Sequence, residues 1–265
     1  MPSALPYKRK PHSELAARVE DVCLNAWPAL QEIHFDGWLI RLADGQTRRT
    51  NSVNLLQEGS RPAAEKIDYC EDVYRRHGLP SCFRILSTAK RDIEDLLVAR
   101  GYRAADETRT LFMDFAQHPP PSEAQHDVEL VSQVPSEEWL SARMRFQNGP
   151  ASERPKLEKI LQQLAIPAVF AASRDEHGTI VSIAKGAVHD GIVCLNMVAS
   201  DPSKLRRGYS RACLSAILRW ARGEMGATGA CLQVVAGNMS AIRLYERLGF
   251  TCELYRYHYR TRRLA

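Results

Sequence analysis

Asn238-Met239-Ser240-Ala241-Ile242-Arg243-Leu244-Tyr245-Glu246-Arg247-Leu248-Gly249-Phe250 is the stretch from which the fold can be read. Asn238 can accept a hydrogen bond from a free N–H at a helix start, and Gly249 stands at the position that ends a helix in the left-handed conformation. The spacing predicts a helix from Met239 to Leu248, with Tyr245 two turns after Asn238 on the same side. An apolar strand, Cys231 to Val235, precedes it, and a strand from Cys252 to Tyr259 follows.

Upstream lies Val198-Ala199-Ser200-Asp201-Pro202-Ser203-Lys204-Leu205-Arg206-Arg207-Gly208-Tyr209-Ser210-Arg211. Here an apolar strand ends at a Pro-containing turn, and a basic loop with one glycine leads into an amphipathic helix carrying Leu214, Ile217, Leu218 and Ala221. The first turn of a helix leaves backbone N–H groups unpaired and its dipole favours negative charge. Gly208 lets an anion approach the backbone, and Arg206, Arg207 and Arg211 surround it with charge. The plainer reading is a helix start with solvated arginines.

Further out, Gln117 to His126 contains Pro119, Pro120 and Pro121, which cannot continue a helix and mark a linker. The chain divides into residues 1–117, a linker at 118–126, and residues 127–265. In the second part a strand (128–134), two helices (136–146 and 153–164) and three meander strands (168–173, 179–188 and 192–200) lead up to the two motifs. The first part reads as a helix from Ser13, a hairpin of Trp38–Ala43 and Thr50–Leu56 about Asp44-Gly45, a helix over 63–77, a strand over 82–86, a helix over 92–100 and a strand over 108–115. Leu96 to Tyr102 repeats the helix-Gly-aromatic ending of Leu244 to Phe250, which points to an internal duplication.

Composition narrows the classes. With 265 residues, 45% hydrophobic and 25% charged, the chain is globular and long enough for one large domain or two modest ones. Seven scattered cysteines without a C-x-x-C pair argue against a disulfide framework or a zinc site, and fit a reducing cytoplasm. The eight histidines lack metal spacing, so no metal is expected. No stretch has the length of a membrane span. The net charge of +5 suits an anionic small molecule or a nucleic acid without choosing between them. Arg256, Arg260, Arg262 and Arg263, interleaved with Tyr255, Tyr257 and Tyr259, read as strand alternation and a basic tail.

Taken together, the two motifs resemble the GNAT superfamily of acyl-CoA-dependent N-acyltransferases. Asn238, Ala241, Tyr245, Gly249 and Phe250 match its N-x-x-A-x-x-x-Y-x-x-x-G-F signature in full. Its R/Q-x-x-G-x-G/A loop is matched in part, with Gly208 kept but Leu205 and Ser210 departing from the usual residues. The resemblance spans residues 128 to 260. It implies an α/β (α+β) GNAT fold, a mixed and mostly antiparallel sheet flanked by helices, here as a tandem of two GNAT-like halves whose first member is degenerate and noncatalytic. A segment of the first half, Asp36 to Ser52, is similar to small bacterial proteins that carry a C-terminal acetyltransferase half.

The resemblance implies further that acetyl-CoA is the cosubstrate. Its pantetheine arm would pair with backbone near Val198, Ala199 and Ser200, where the fourth family strand splays from the fifth. Its pyrophosphate would rest on N–H groups of Arg206, Arg207, Gly208, Tyr209, Ser210 and Arg211, and Asn238 would hydrogen-bond the cofactor. Tyr245 would be the general acid that protonates the departing thiolate; its plainer reading is a core aromatic beside Leu244 and Leu248. Cys194 stands where many relatives carry a catalytic Glu, with Asn196 two residues on, and neither is a convincing base; His189 and Asp190 lie nearby in a turn. Arg143, Phe146 and Gln147 fall where relatives form the acceptor pocket. The acceptor amine stays open among amino acids, polyamines, antibiotics, peptide N-termini and protein lysines. Two other functions remain beside the enzyme: a noncatalytic acyl-CoA sensor and a basic nucleic-acid-binding module.

Overall fold

A computed structural model of the chain describes residues 11–89, 91–122, 126–147 and 150–262. Among the described residues, eleven strands form one continuous sheet. The first half contributes α1 (Pro11–Ala26), β1 (Gln31–Phe35), β2 (Trp38–Leu42), β3 (Val53–Leu55), α2 (Ala63–Arg76), β4 (Cys82–Leu86), α3 (Arg91–Ala99) and β5 (Arg103–Asp114). The second contributes β6 (Val128–Ser132), α4 (Glu137–Gln147), α5 (Glu153–Gln162), β7 (Ala168–Arg174), β8 (Ile180–His189), β9 (Ile192–Ser200), α6 (Tyr209–Gly223), β10 (Gly229–Val235), α7 (Met239–Leu248) and β11 (Cys252–Thr261).

The strand order is β1-β2-β3-β4-β11-β5-β10-β9-β8-β7-β6. Each half ends its antiparallel run with a helical crossover to a parallel neighbour: β3, α2 and β4 in the first, β9, α6 and β10 in the second. The last strands then exchange. β11 pairs with β4 of the first half, and β5 pairs with β10 of the second, with β5 and β11 side by side between them. Helix α1 likewise crosses over: Val19, Val22 and Cys23 belong to the same buried cluster as Trp139, Ile160, Phe170 and Ile183 of the second half. On the opposite face α6 buries Cys213, Leu214, Ile217 and Leu218 against Ala171, Ala184 and Leu195. A third cluster, around Trp38, Ile67, Tyr74 and Phe83, belongs to the first half.

Several elements differ from the sequence reading. The tight hairpin is β1–β2, turning at Asp36 and Gly37, both at positive φ, and the register Phe35↔Trp38 is that of a two-residue loop. Strand β1 escaped the sequence reading because it is largely exposed and carries little apolar pattern. Asp44-Gly45 instead begins a longer connection that includes a 3-10 turn, Arg48–Thr50, before β3. Helix α1 starts at Pro11; the cap expected of the Ser13 side chain lies outside the described residues. No helix among the described residues is long and apolar enough to cross a membrane.

Candidate active site

The signature helix behaves as its sequence dictates. Asn238 Oδ1 accepts from the Ala241 N–H at 3.1 Å and caps α7. Gly249 ends it at φ 107°, where a Cβ would come within 2.8 Å of His118. Both conditions exclude a side chain there.

Strands β9 and β10 run in parallel register only from Ile192↔Gly229 to Leu195↔Leu232. Beyond that they part: β9 continues along β8, and β10 continues along β5. The β8–β9 register slips by one residue between Lys185↔Asn196 and Ile183↔Ala199, and Met197 sits in the gap at φ 54°. This bulge turns β9 away from β10 and opens a wedge at Asn196 to Ser200. The wedge belongs to a cavity of about 1450 Å³ that reaches from the start of α6, past α7, to residues of the first half.

At the α6 end, Gly208 adopts φ 90° and Arg206 φ 62°, and the curled loop from Lys204 to Arg211 lines the cavity. Ser210 Oγ lies 2.6 Å from Ser200 Oγ, which is 2.8 Å from Ser182 Oγ, a hydroxyl chain that ties the helix start to the end of β9. Asp201 caps the turn between them through the Ser203 N–H at 2.8 Å. The Tyr209 ring is buried against His126, so this residue offers its backbone rather than its side chain. Arg206, Arg207 and Arg211 are exposed and make no ion pair with a described carboxylate. Arg243 and Arg247 of α7 line the same cavity; the sequence reading missed them because their helix was read for its signature positions alone. Val198, Ala199, Ser200, Asn238 and Tyr245 also line it, and so do Arg143 and Gln147, whereas Phe146 packs on the core instead.

Tyr245 is buried in its ring, and its hydroxyl makes no hydrogen bond with a described residue. Burial pushes this phenol up to about 12, so it stays protonated through the physiological range. Such a group can donate a proton to a nearby anion. Cys194 is buried in the core, whereas Asn196 lines the cavity and its Nδ2 donates to the Ala26 carbonyl at 3.4 Å, an oxygen to which Lys185 Nζ also donates at 2.5 Å. Asp190 is taken up by Arg18 at 2.6 Å. Asp106, on β5, is the only carboxylate that lines the cavity among the described residues, and it pairs with Arg48.

Cys23, Cys194 and Cys231, from α1, β9 and β10, bring their sulfurs within 4.8 Å of one another in the core. They lie far apart in sequence, so no local spacing could announce the cluster. The basic tail is neutralised: Arg256 pairs with Glu253 and Glu107, Arg260 with Glu94, and Arg262 with Glu71, while Arg263 lies outside the described residues.

Comparison with known proteins agrees with this architecture. A family model described as "Probable histone acetyltransferase Rv0428c C-terminal" matches residues 14–262. The chain is similar to "Uncharacterized N-acetyltransferase YobR" of Bacillus subtilis (strain 168), 25% identical over 250 residues that cover 93% of this chain and 98% of that one. Among solved structures it resembles a GCN5-related N-acetyltransferase from Kribbella flavida, at TM-score 0.69 and 16% identity over 97% and 98% of the two chains. It also resembles a tandem GNAT protein from the clavulanic acid biosynthesis pathway, at TM-score 0.61 and 10% identity over 80% and 74%.

Proposed function

Since the chain belongs to the Rv0428c C-terminal acetyltransferase family and is a GNAT-superfamily N-acetyltransferase, we propose that it transfers an acetyl group from acetyl-CoA to a primary amine by direct attack on the thioester. The observation that carries this reading is the wedge between β9 and β10, flanked by unpaired arginines at one end and by the Tyr245 hydroxyl beside it. The pantetheine arm would lie along Val198, Ala199 and Ser200, as a strand adds to an open edge. The pyrophosphate would rest on the amides and side chains of Arg206 to Arg211, with Arg243 and Arg247 available to further phosphate charge. Leu205, exposed, takes no backbone donor from that loop. Asn238 already spends its oxygen on the helix cap and would offer the cofactor its amide N–H groups.

In the reaction a neutral amine attacks the thioester carbon, a backbone N–H of the splayed strand receives the developing oxyanion, and Tyr245 gives its proton to the departing thiolate. Among the described residues no carboxylate base stands free in the cavity, since Asp106 is paired with Arg48, so solvent water carries off the amine proton. The first half would be a noncatalytic counterpart, with residues 118–126 as the linker. The equivalent loop before α2 is filled from within: the Asp36 carboxylate accepts from the Ser60 N–H at 2.9 Å and the Arg61 N–H at 2.8 Å and pairs with Lys66. Those contacts hold its carboxyl far below the usual range, leaving no place there for a phosphate.

A second reading, an acyl-CoA sensor without turnover, draws on the same lack of a free base. Calorimetry with acetyl-CoA and detection of released CoA thiol over a panel of amines separate the two. Tyr245→Phe is expected to lower kcat by about 10²-fold while leaving the acetyl-CoA dissociation constant unchanged. Unchanged turnover at saturating substrate would remove Tyr245 as the acid.

A further inference from the structure

The end of the cavity opposite the α6 loop is built by the first half. Trp27, Thr47, Arg48 and Arg49 line it. The turn that presents Arg49 is held at every residue. Asn51 Oδ1 accepts from the Ala43 N–H at 2.8 Å and the Gly45 N–H at 3.1 Å, and its Nδ2 donates to the Thr47 carbonyl at 2.8 Å. Buried Arg41 donates to the Arg49 carbonyl at 3.3 Å and to the Trp27 carbonyl at 2.7 Å, and Trp27 Nε1 donates to Thr47 Oγ1 at 3.3 Å. This hydrogen-bonded frame occupies much of the Asp36 to Ser52 segment and presents both Arg48 and Arg49 to the cavity.

The Arg49 guanidinium has no partner among the described residues. Arg48 beside it is neutralised by Asp106, but the Arg49 side chain makes no hydrogen bond or ion pair with any described residue. It lines the cavity together with Tyr257 and Tyr259 of β11, the groups with which its charge interacts most strongly, and feels Cys194 of β9 less. Arg143 of α4 lines the same cavity, is half-buried, and its Nε is sealed from solvent without a hydrogen-bond partner among the described residues. An uncompensated cation away from bulk water is costly unless a ligand supplies the counter-charge.

We propose that the acceptor is a small amine bearing its own anionic group, a carboxylate or a phosphate, and that Arg49 holds this group with Arg143 as the second cation of the acceptor end. The proposal rests on the acetyltransferase reading for the role of the bound amine and on the cavity for its charge. A lysine-rich peptide brings like charge to the same arginines and is disfavoured by them.

The test pairs probes that differ only in charge: L-amino acids against their C-terminal amides, and O-phosphoethanolamine against ethanolamine. Each is titrated into the full-length protein saturated with CoA and, separately, assayed for turnover with acetyl-CoA. An anionic probe is expected to bind at least 10-fold more tightly than its neutral counterpart. Arg49→Gln should abolish that ratio while leaving the acetyl-CoA dissociation constant unchanged, and Arg49→Lys should recover part of it. Whether the amino acids or the phosphoethanolamine bind tells carboxylate from phosphate. Equal binding of charged and neutral probes, indifference to Arg49→Gln, or no binding of any anionic probe at millimolar concentration overturns the proposal. Charge-selective binding without turnover would leave the anion site standing and sink the acetyltransferase reading; turnover of neutral amines alone does the reverse.

Discussion

Lys185 illustrates how one residue can be both well placed and expensive. It is completely buried on β8, bonded to the Ala26 carbonyl and 5.3 Å from the centre of the Trp27 ring. Burial pulls its ammonium from the ordinary 10.5 down to about 7, with Arg49 adding repulsion and Cys194 opposing it. Between those two pH values the unfolded chain holds a proton that the native chain has released. The cost of burial is therefore fully present at and below pH 7 and fades as pH rises to 10.5. Lys185→Met is expected to stabilise the protein by a few kcal/mol at pH 7, and by progressively less toward pH 10. Thermal unfolding followed across this range checks it; a pH-independent difference between the two proteins would be wrong for this cause. Tyr245 shows the other side of burial, since the same loss of solvent that raises its phenol to about 12 keeps it protonated at working pH.

At the scale of elements, α1 is held to the sheet by an ion pair that the sequence could not have located. Glu20 receives two hydrogen bonds from Arg84 of β4, one of them at 3.0 Å, and the Tyr255 hydroxyl of β11 donates to it at 2.5 Å. Burial by itself would raise the Glu20 carboxyl, but the Arg84 guanidinium outweighs it and the group is held below its ordinary 4.5. Its contribution is therefore present above pH 4.5 and is lost as pH falls through the lower native value. Glu20→Ala leaves Arg84 buried without its carboxylate, and a loss of about 3–5 kcal/mol is expected from chemical denaturation at pH 7. A loss below about 1 kcal/mol would mean that water compensates the guanidinium. Helix α6 was easier to foresee, because its start is written in contiguous residues: Pro202, Gly208 and the apolar periodicity after them.

At the scale of the molecule, the exchange of β5 and β11 makes the two halves one structure. Excising residues 127–265 removes β5 from between β10 and β11 and strips α1 from the face that buries Trp139 and Phe170. That fragment is expected to show no cooperative thermal transition, and co-expression with residues 1–126 should restore one. A cooperative transition of the fragment alone would refute the interdependence. Most elements were legible from sequence, since caps, turns and apolar spacing act over a few residues. Asn238, Tyr245, Gly249 and Gly208 carry their meaning locally, so the signature helix and the loop before α6 could be read in advance. Arg49, Trp27 and Asp106, the three sulfurs and the place of Arg243 and Arg247 could not. They come from elements more than two hundred residues apart, and what brings them together is the order of strands in the sheet. That order is a matter of long-range pairing and burial: α1 and β5 bury their apolar faces against the second half, and in doing so they bring Trp27, Arg49 and Asp106 to the cavity.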